Sequence, residues 1–280
     1  MNQRVAIVTD STASIPAHLV ERLGISVVQL ELTVGEESND ERRVPHDQLA
    51  EAMRSGQRVA TAAPPPPAFF WNYSDAISEG VEAVISAHIS TGLSQTCASA
   101  RTAAAEFDTP IHVVDSSTCC LGLGYAVIAA AETAAAGADV RTVLDVLNHR
   151  LGGSSETVYV DTLEHLRRGG RIGAAKAGLG SALSLKPVLG LREGVLTRVG
   201  QAVGTERAVR KAVDVAARNA GTRRVNIAAE HFQAEQRAGA ALEELRNRVE
   251  TANEPILAES SAAIGAHTGP GSVVLSVTPA

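Results

Sequence analysis

The chain has 280 residues, which is enough for one large domain or two medium ones, and 45% of its residues are hydrophobic. Its net charge of -6 provides no basic surface, and aromatic residues at 3% leave few platforms for stacked bases. The composition therefore argues against nucleic-acid binding.

The cysteines and the apolar segments restrict the compartment and the kind of site. Cys97, Cys119 and Cys120 lack the C-x-x-C spacing of zinc sites, so buried free thiols and no metal are predicted. The most apolar segment, residues 122–137, contains Glu132 and is too short to cross a bilayer. Because the chain also opens without a secretory leader, we expect a cytoplasmic protein with no integral membrane segment.

The first half of the chain predicts alternating strands and helices. Apolar runs typical of strands that are buried on both faces of a parallel sheet occur at residues 4–9, 84–89 and 110–114. The pattern also predicts a strand at 25–32, a charged loop at 35–43, and an extended segment at the four prolines 64–67. Helices are predicted at residues 16–23, 44–55, 68–79, 97–106, 121–136 and 140–150.

Polar side chains follow the strands of this half. Asp10 ends the first strand, Thr61 ends the strand before the prolines, and four of the seven residues at 90–96 carry hydroxyl groups. A strand, a polar turn and a helix start together provide free N–H groups and a positive dipole end, which suit an anion. Simple capping of the helix by Ser90, Thr91 or Ser94 explains the same stretch, and both interpretations stay open here.

The pattern changes near residues 152–155. Beyond them the sequence predicts a strand at 157–160, a helix at 161–168, a glycine-rich break at 169–173 and a helix from there to about 183. A hairpin of 185–191 with 195–199 and further elements up to a strand at 272–277 follow. The predicted fold is therefore α/β. A Rossmann-like parallel sheet with helices on both faces occupies residues 1–153, and a smaller α/β domain with a mixed sheet occupies residues 154–280.

Two residues of the second half are candidates for a site. Arg171 stands between Gly170 and Ile172, where a guanidinium could meet an anion or a partner carboxylate, although a solvated helix face explains the surrounding arginines equally well. His267 is predicted to lie on a glycine-rich turn, where packing offers little reason for a histidine. Complete P-loop, dinucleotide-binding and nucleophile-elbow patterns are missing from the sequence.

Six ordered stretches resemble the motifs of the DegV family, and together they extend over almost the whole chain. They are residues 7–12, 89–96, 113–116, 161–173, 185–189 and 265–271. The family is similar to bacterial fatty-acid-binding proteins, including the binding subunit of fatty acid kinase. The resemblance implies a carrier that is not itself an enzyme, needs no cofactor, and presents a long-chain fatty acid to a separate ATP-dependent kinase subunit for phospholipid metabolism.

The resemblance also implies roles for individual residues. Thr61, Ser94 and His267 would hold the fatty-acid carboxylate between the two domains, and Arg171 and Arg207 would lie near the mouth, where the kinase or the new phosphate is met. The chain departs from the residues that are usual in the family at Ala62, Ala63, Gln95 and Cys120. These departures predict an altered cavity entrance and an altered choice of ligand.

Two other functions compete with the carrier hypothesis. One is a serine-dependent acyl hydrolase or acyltransferase with Ser94 as nucleophile, His267 as base, and Asp10 or Asp115 as the orienting carboxylate. The other is a sensor that is regulated by lipid and works without a kinase.

A carrier would be in equilibrium with membranes and could contact them transiently, because each buried methylene contributes about 0.8 kcal/mol in either environment.

Overall fold

The computed structural model of the chain describes residues 4–172 and 185–280. The described strands, in chain order, are β1 (Val5–Asp10), β2 (Ser26–Val28), β3 (Glu31–Val34), β4 (Glu37–Asp40), β5 (Val59–Ala62), β6 (Ala83–His88), β7 (Ile111–Asp115), β8 (Ser155–Tyr159), β9 (Leu185–Arg192), β10 (Val195–Val203), β11 (Arg224–Phe232), β12 (Glu250–Thr251), β13 (Ile256–Glu259) and β14 (Ser272–Pro279). The described helices are α1 (Ala17–Leu23), α2 (His46–Arg54), α3 (Pro66–Ser78), α4 (Thr96–Ala104), α5 (Cys120–Ala135), α6 (Val140–Gly153), α7 (Glu164–Arg168), α8 (Thr205–Ala220), α9 (Glu235–Arg246) and α10 (Ala262–Thr268). The helix predicted after Gly173 and up to about residue 183 lies outside the described residues.

A four-stranded parallel sheet forms the centre of the first half, with strand order β2-β1-β6-β7. Every residue of β6 is buried, as expected for a continuous apolar strand inside such a sheet. Side chains of α1, α5 and α6 pack against one face, and those of α3 and α4 pack against the other. The α/β prediction with helices on both faces is therefore confirmed.

The strand predicted at residues 25–32 is wrong as a single element. The segment divides into β2, which joins the parallel sheet, and β3, which pairs with β4 and β5 in a separate three-stranded antiparallel sheet. The chain changes sheets at Gln29 and Leu30, where the Leu30 N–H donates to Ser11 Oγ at 3.1 Å. A run of residues with high β-propensity does not reveal a change of pairing partner, because partners come from distant parts of the chain.

Two loop predictions in the same region also need correction. Residues 35–43 contain β4 and a 3-10 turn (Glu41–Arg43), in which the Asp40 carboxylate accepts the Arg42 N–H. The four prolines are not all extended, because Pro66 and Pro67 open helix α3. Proline suits the first helical turn, where its fixed φ is already helical and its missing N–H would have had no partner.

The second half contains a seven-stranded mixed sheet. Its order is β10-β9-β8-β14-β11-β12, and β13 pairs in parallel with β11 beside β12. The predicted hairpin is confirmed as the antiparallel pair of β9 and β10. Helices α8 and α9 bury their apolar residues against this sheet, so the mixed α/β architecture predicted for the second half is confirmed as well.

Buried polar contacts join α5 of the first half to the mixed sheet. Glu230 of β11 accepts the Leu121 N–H at 2.7 Å, and the Tyr125 hydroxyl donates to the Ile227 carbonyl at 2.8 Å. Glu156 of β8 lies so close to Gly122 that any side chain at that position would clash with the carboxylate. Helix α5 therefore belongs to the core of the first sheet while its first turn is fixed to the second sheet.

Candidate functional site

An apolar cavity lies between elements from both halves of the chain. The space between its lining atoms, including the opening, amounts to about 660 Å³. Most of the lining side chains are aliphatic or thiol groups, among them Leu30, Ile89, Leu93, Cys119, Val158, Leu166, Leu196 and Ile264. Polar side chains are concentrated in a smaller group, which comprises Thr12, Thr61, Ser94, Arg171, His267 and Thr268.

His267 lies on helix α10, so the prediction that it occupies a turn is wrong. The helix begins after Ser261, whose hydroxyl accepts the Ile264 N–H at 3.3 Å, and it ends at Gly269 with a positive φ of 80°. The cluster of glycines that suggested a turn marks only the end of the helix. His267 stands in its last turn, at the cavity wall.

Thr61 and His267 contact each other across the fold. The Oγ1 atom of Thr61 lies 2.7 Å from Nε2 of His267, within hydrogen-bond distance. Thr61 belongs to β5, in the antiparallel sheet, and not to the parallel sheet whose strand ends suggested it as a candidate. The small sheet reaches the cavity because apolar residues of β3 and α2 pack against α10 around Leu32, Leu49, Phe232 and Ala266.

Burial keeps His267 uncharged at neutral pH. Burial and, to a smaller extent, the nearby positive charge of Arg171 together lower the pKa of the imidazole to about 4. Nδ1 of His267 is buried and has no hydrogen-bond partner among the described residues. A neutral imidazole beside a threonine hydroxyl can donate to, or accept from, the oxygen atoms of a ligand.

Ser94 stands both at the start of α4 and at the wall of the cavity. Its hydroxyl lies 2.7 Å from Thr96 Oγ1 and accepts the Thr96 N–H at 3.3 Å, so it supports the start of α4. It also lines the cavity. Its neighbours Ser90 and Thr91 bond elsewhere, to the Gly194 carbonyl and to the Asp115 carboxylate, respectively.

The two arginines singled out by the sequence have different positions. Arg171 lines the cavity, and its guanidinium donates to the carbonyls of Leu93 at 3.0 Å and Gly169 at 2.6 Å. It thereby ties the loop after β6 to the segment after α7. Arg207 is exposed in the first turn of α8 and is not among the residues that line the cavity.

The hydrogen bonds do not assemble the hydrolase that the sequence left as an alternative. Ser94 bonds to Thr96 and His267 bonds to Thr61, so the nucleophile and the base of that hypothesis have different partners. Asp10 bonds to Thr12, to the Ile89 N–H and to His88, while Asp115 bonds to Thr91 and Ser117.

Several residues of the site were not identified from the sequence. Thr12 lines the cavity, and the Asp10 carboxylate fixes its position by accepting its N–H at 3.0 Å. Gly169 packs against the His267 ring so closely that a Cβ would clash with Nδ1 and Cε1. Gly169 belongs to a pair of glycines that the sequence shows, but the histidine that requires a glycine at position 169 is about 100 residues away, on the order of a whole domain length.

Cys97, Cys119 and Cys120 are buried and free, as predicted. Residues 4–172 and 185–280 contain no group of three or more His, Cys, Asp or Glu side chains that could hold a metal ion. In the same residues, none of the helices has the length and apolar character needed to cross a membrane.

Comparison with known proteins identifies relatives over the full length. The family model described as "Uncharacterised protein, DegV family" matches residues 4–280. A DegV domain-containing protein of Streptomyces coelicolor is 40% identical over 272 residues, which cover 97% of each chain.

Two solved structures resemble the whole fold. A DegV family protein of Thermus thermophilus, described for its fatty acid binding, has a TM-score of 0.92 at 33% identity and covers 99% of this chain and 100% of its own. DegV of Bacillus subtilis, described as a fatty acid binding protein, has a TM-score of 0.85 at 28% identity, with coverage of 99% and 100%.

Proposed function

Since the chain belongs to the DegV family, we propose that it binds a long-chain fatty acid in the apolar cavity and holds the carboxylate at Thr61, Ser94 and His267. The observation that carries this proposal is the Thr61–His267 hydrogen bond of 2.7 Å at the wall of an otherwise mainly apolar cavity. The relatives from Thermus thermophilus and Bacillus subtilis, both described as binding fatty acids, support the same ligand class.

The physical chemistry of the cavity matches an amphiphilic anion. Transfer of an acyl chain of ordinary length from water to an apolar cavity is favourable by on the order of 10 kcal/mol, since each methylene contributes about 0.8 kcal/mol. Aliphatic side chains provide that gain, whereas the two hydroxyls and the imidazole can donate to the carboxylate oxygens. The head group is thereby held at one place while the chain lies among the aliphatic residues.

We also propose that the chain forms two domains and that it works with a partner protein. Residues 1–153 and 154–280 form two domains with the ligand between them, and the protein itself is a carrier in the cytoplasm. A separate ATP-dependent kinase subunit would transfer the γ-phosphoryl group to a carboxylate oxygen, releasing ADP and leaving an acyl phosphate for phospholipid metabolism. Arg171 and Arg207 are proposed to lie toward that partner or the new phosphate.

Native mass spectrometry of the purified protein tests the ligand. We expect one fatty acid for each chain, which denaturation releases and chromatography identifies, and we expect added palmitate to bind after the lipid has been removed. A protein that carries no lipid and ignores added palmitate would contradict the proposal. Formation of acyl phosphate from ATP only when both the protein and a kinase subunit are present tests the carrier role.

A further inference from the structure

Two adjacent thiols at the wall of the apolar cavity have no part in the proposed carboxylate site. Cys119 and Cys120 are both buried, and both line the cavity. Their Sγ atoms lie 3.5 Å apart, so the thiols contact each other. The other members of their buried cluster are aliphatic side chains, among them Ile89, Val158, Leu189, Leu196, Ile264 and Val274. The hydrocarbon part of a bound acyl chain would therefore lie against the thiol pair.

The fold fixes the thiol pair at the start of α5. Cys120 has a φ of 56°, in the left-handed region that residues with a side chain seldom adopt. Such strain persists only where surrounding contacts impose it, and it is frequent at functional sites. The contacts here come from the second half of the chain, because Glu230 accepts the Leu121 N–H at 2.7 Å and Glu156 lies against Gly122. The mixed sheet therefore holds the thiols in place.

Both thiols are protonated at neutral pH. The pKa of Cys120 is raised by the contact with Cys119, by burial and by the negative charges of Glu230 and Glu156. The contact with Cys120 lowers the pKa of Cys119, but burial and the same carboxyl groups raise it overall. A sulfur of this pair therefore reacts only with an electrophile that is held against it while a base removes the thiol proton.

Glu230 is placed to act as that base. Its negative charge acts on the pKa of both thiols, so the carboxyl group lies beside them. Burial raises the pKa of Glu230 to about 7, so a substantial fraction of the molecules carries the carboxylate at neutral pH. The Oε1 atom of Glu230 is buried and has no hydrogen-bond partner among the described residues, which leaves it free to accept a thiol proton.

We propose that Cys119 and Cys120 together reduce a fatty-acid hydroperoxide whose chain occupies the apolar cavity. The inference rests on the proposed function, because the acyl chain must carry the peroxide group to the thiols. Glu230 takes the proton of one thiol while its sulfur attacks the outer oxygen of the peroxide, so an S–O bond forms and the O–O bond breaks. The departing alkoxide takes this proton and becomes a hydroxy fatty acid. The second thiol then attacks the sulfenic sulfur, which leaves a disulfide and releases the hydroxyl group with the second proton as water.

The surroundings select the oxidant and allow the thiols to be regenerated. The two thiols supply both electrons, so one turnover needs no further reductant. Aliphatic walls favour a peroxide on an acyl chain over hydrogen peroxide, because each buried methylene contributes about 0.8 kcal/mol to binding. Neighbouring Cα atoms are about 3.8 Å apart, below the roughly 4.4–6.8 Å that disulfides prefer, so the disulfide is strained and a small dithiol reduces it.

Oxidation of the reduced, lipid-free protein by the hydroperoxide of linoleic acid tests the pair. Mass spectrometry follows the tryptic peptide of residues 102–141, which contains Cys119 and Cys120 but not Cys97. Chromatography measures the hydroxy fatty acid that is formed. The variants are Cys97→Ser, the double variant Cys119→Ser/Cys120→Ser, and Glu230→Gln. Cys97 is the control because it is also buried but does not line the cavity.

We expect the peptide to lose two hydrogen atoms as one hydroxy fatty acid forms for each chain, and dithiothreitol to restore both thiols. Cys97→Ser should behave as the unchanged chain, and the double variant should form no hydroxy fatty acid. Glu230→Gln should slow the reaction about a hundredfold, as the loss of a general base predicts. In the unchanged chain, hydrogen peroxide at equal concentration or an excess of palmitate should make the oxidation about tenfold slower.

Three results would overturn the inference. The first is a peptide that keeps both thiols although the hydroperoxide competes with palmitate for the protein. The second is formation of the hydroxy fatty acid by the double variant at the rate of the unchanged chain, and the third is an oxidation that palmitate does not slow. An unchanged rate in Glu230→Gln would overturn the proton transfer as written. Failure of the unchanged protein to bind palmitate would contradict the proposed function, and this inference with it.

Discussion

The Oγ1 atom of Thr61 lies 2.7 Å from Nε2 of His267, although 206 positions separate the two residues in the chain. The antiparallel sheet of β3, β4 and β5 brings Thr61 to this point, and α10 brings His267. Apolar side chains of both elements pack in one buried cluster, so burial of hydrophobic surface fixes the pair.

Removal of the Thr61 hydroxyl should weaken fatty-acid binding while the cavity keeps its shape. Thr61→Val replaces the hydroxyl by a methyl group of similar size, so one donor to the carboxylate is lost. We expect the Kd for palmitate to rise about tenfold, which corresponds to about 1.4 kcal/mol. Thr61→Ser restores the hydroxyl and should bind within about twofold of the unchanged chain. Calorimetric titration measures the Kd of the unchanged chain and of both variants. Undiminished palmitate binding by Thr61→Val would show that the Thr61 hydroxyl does not contact the carboxylate.

A side chain at position 169 should displace the His267 ring. In Gly169→Ala the new methyl group would overlap Nδ1 and Cε1 of the imidazole, so the ring must rotate or α10 must shift. We expect the imidazole resonances of His267 to move in NMR spectra and palmitate affinity to fall by about tenfold or more. Gly152→Ala is the matched control, since no atom lies within 4 Å of its new methyl group. Unchanged His267 resonances in Gly169→Ala would show that the ring is not confined there.

The buried carboxyl group of Glu230 should make the protein less stable as the pH rises. Burial raises the pKa of Glu230 to about 7 from its ordinary 4.5, so the stabilisation is complete below pH 4.5 and is lost as the pH approaches 7. The loss is limited to about 3 kcal/mol at 1.36 kcal/mol for each pKa unit. Glu230→Gln keeps an acceptor for the Leu121 N–H and cannot ionise.

Urea unfolding at pH 5 and pH 8 measures this effect. The free energy of unfolding of Glu230→Gln, relative to the unchanged chain, should be higher at pH 8 than at pH 5. Glu156 is also buried, and burial raises its pKa well above the ordinary value, so both proteins retain a part of the pH dependence that comes from Glu156. An identical difference between the two proteins at both pH values would contradict the role assigned to Glu230.

His267 should make the ligand-free protein less stable as the pH falls, which is the opposite of the effect of Glu230. The pKa of His267 is about 4 in the folded state against an ordinary 6.5. The contribution of the neutral imidazole to the free energy of unfolding is therefore present above pH 6.5 and is lost as the pH falls toward 4. The expected loss is about 3 kcal/mol, because the unfolded chain takes up the proton first. In His267→Gln, the free energy of unfolding should fall less between pH 7 and pH 4 than it does in the unchanged chain. Equal slopes in the two proteins would show that the imidazole is not held neutral by burial.

The sequence by itself determined the local elements and the family. The apolar runs at residues 4–9 and 84–89 predicted buried parallel strands, which the structure has at Val5–Asp10 and Ala83–His88, and the ordered motifs indicated the DegV family. Both predictions depend on residues that are close in the chain. The helix start after Ser94 was readable for the same reason.

Only the tertiary structure decided how distant segments meet. It divided residues 25–32 between two sheets, placed His267 on a helix, and put Gly169 against its ring. It also brought Thr61 to His267 through a sheet that no local pattern announced. Periodicity and propensity report which face of a segment is buried, whereas the partner that buries it is chosen by packing over the whole chain.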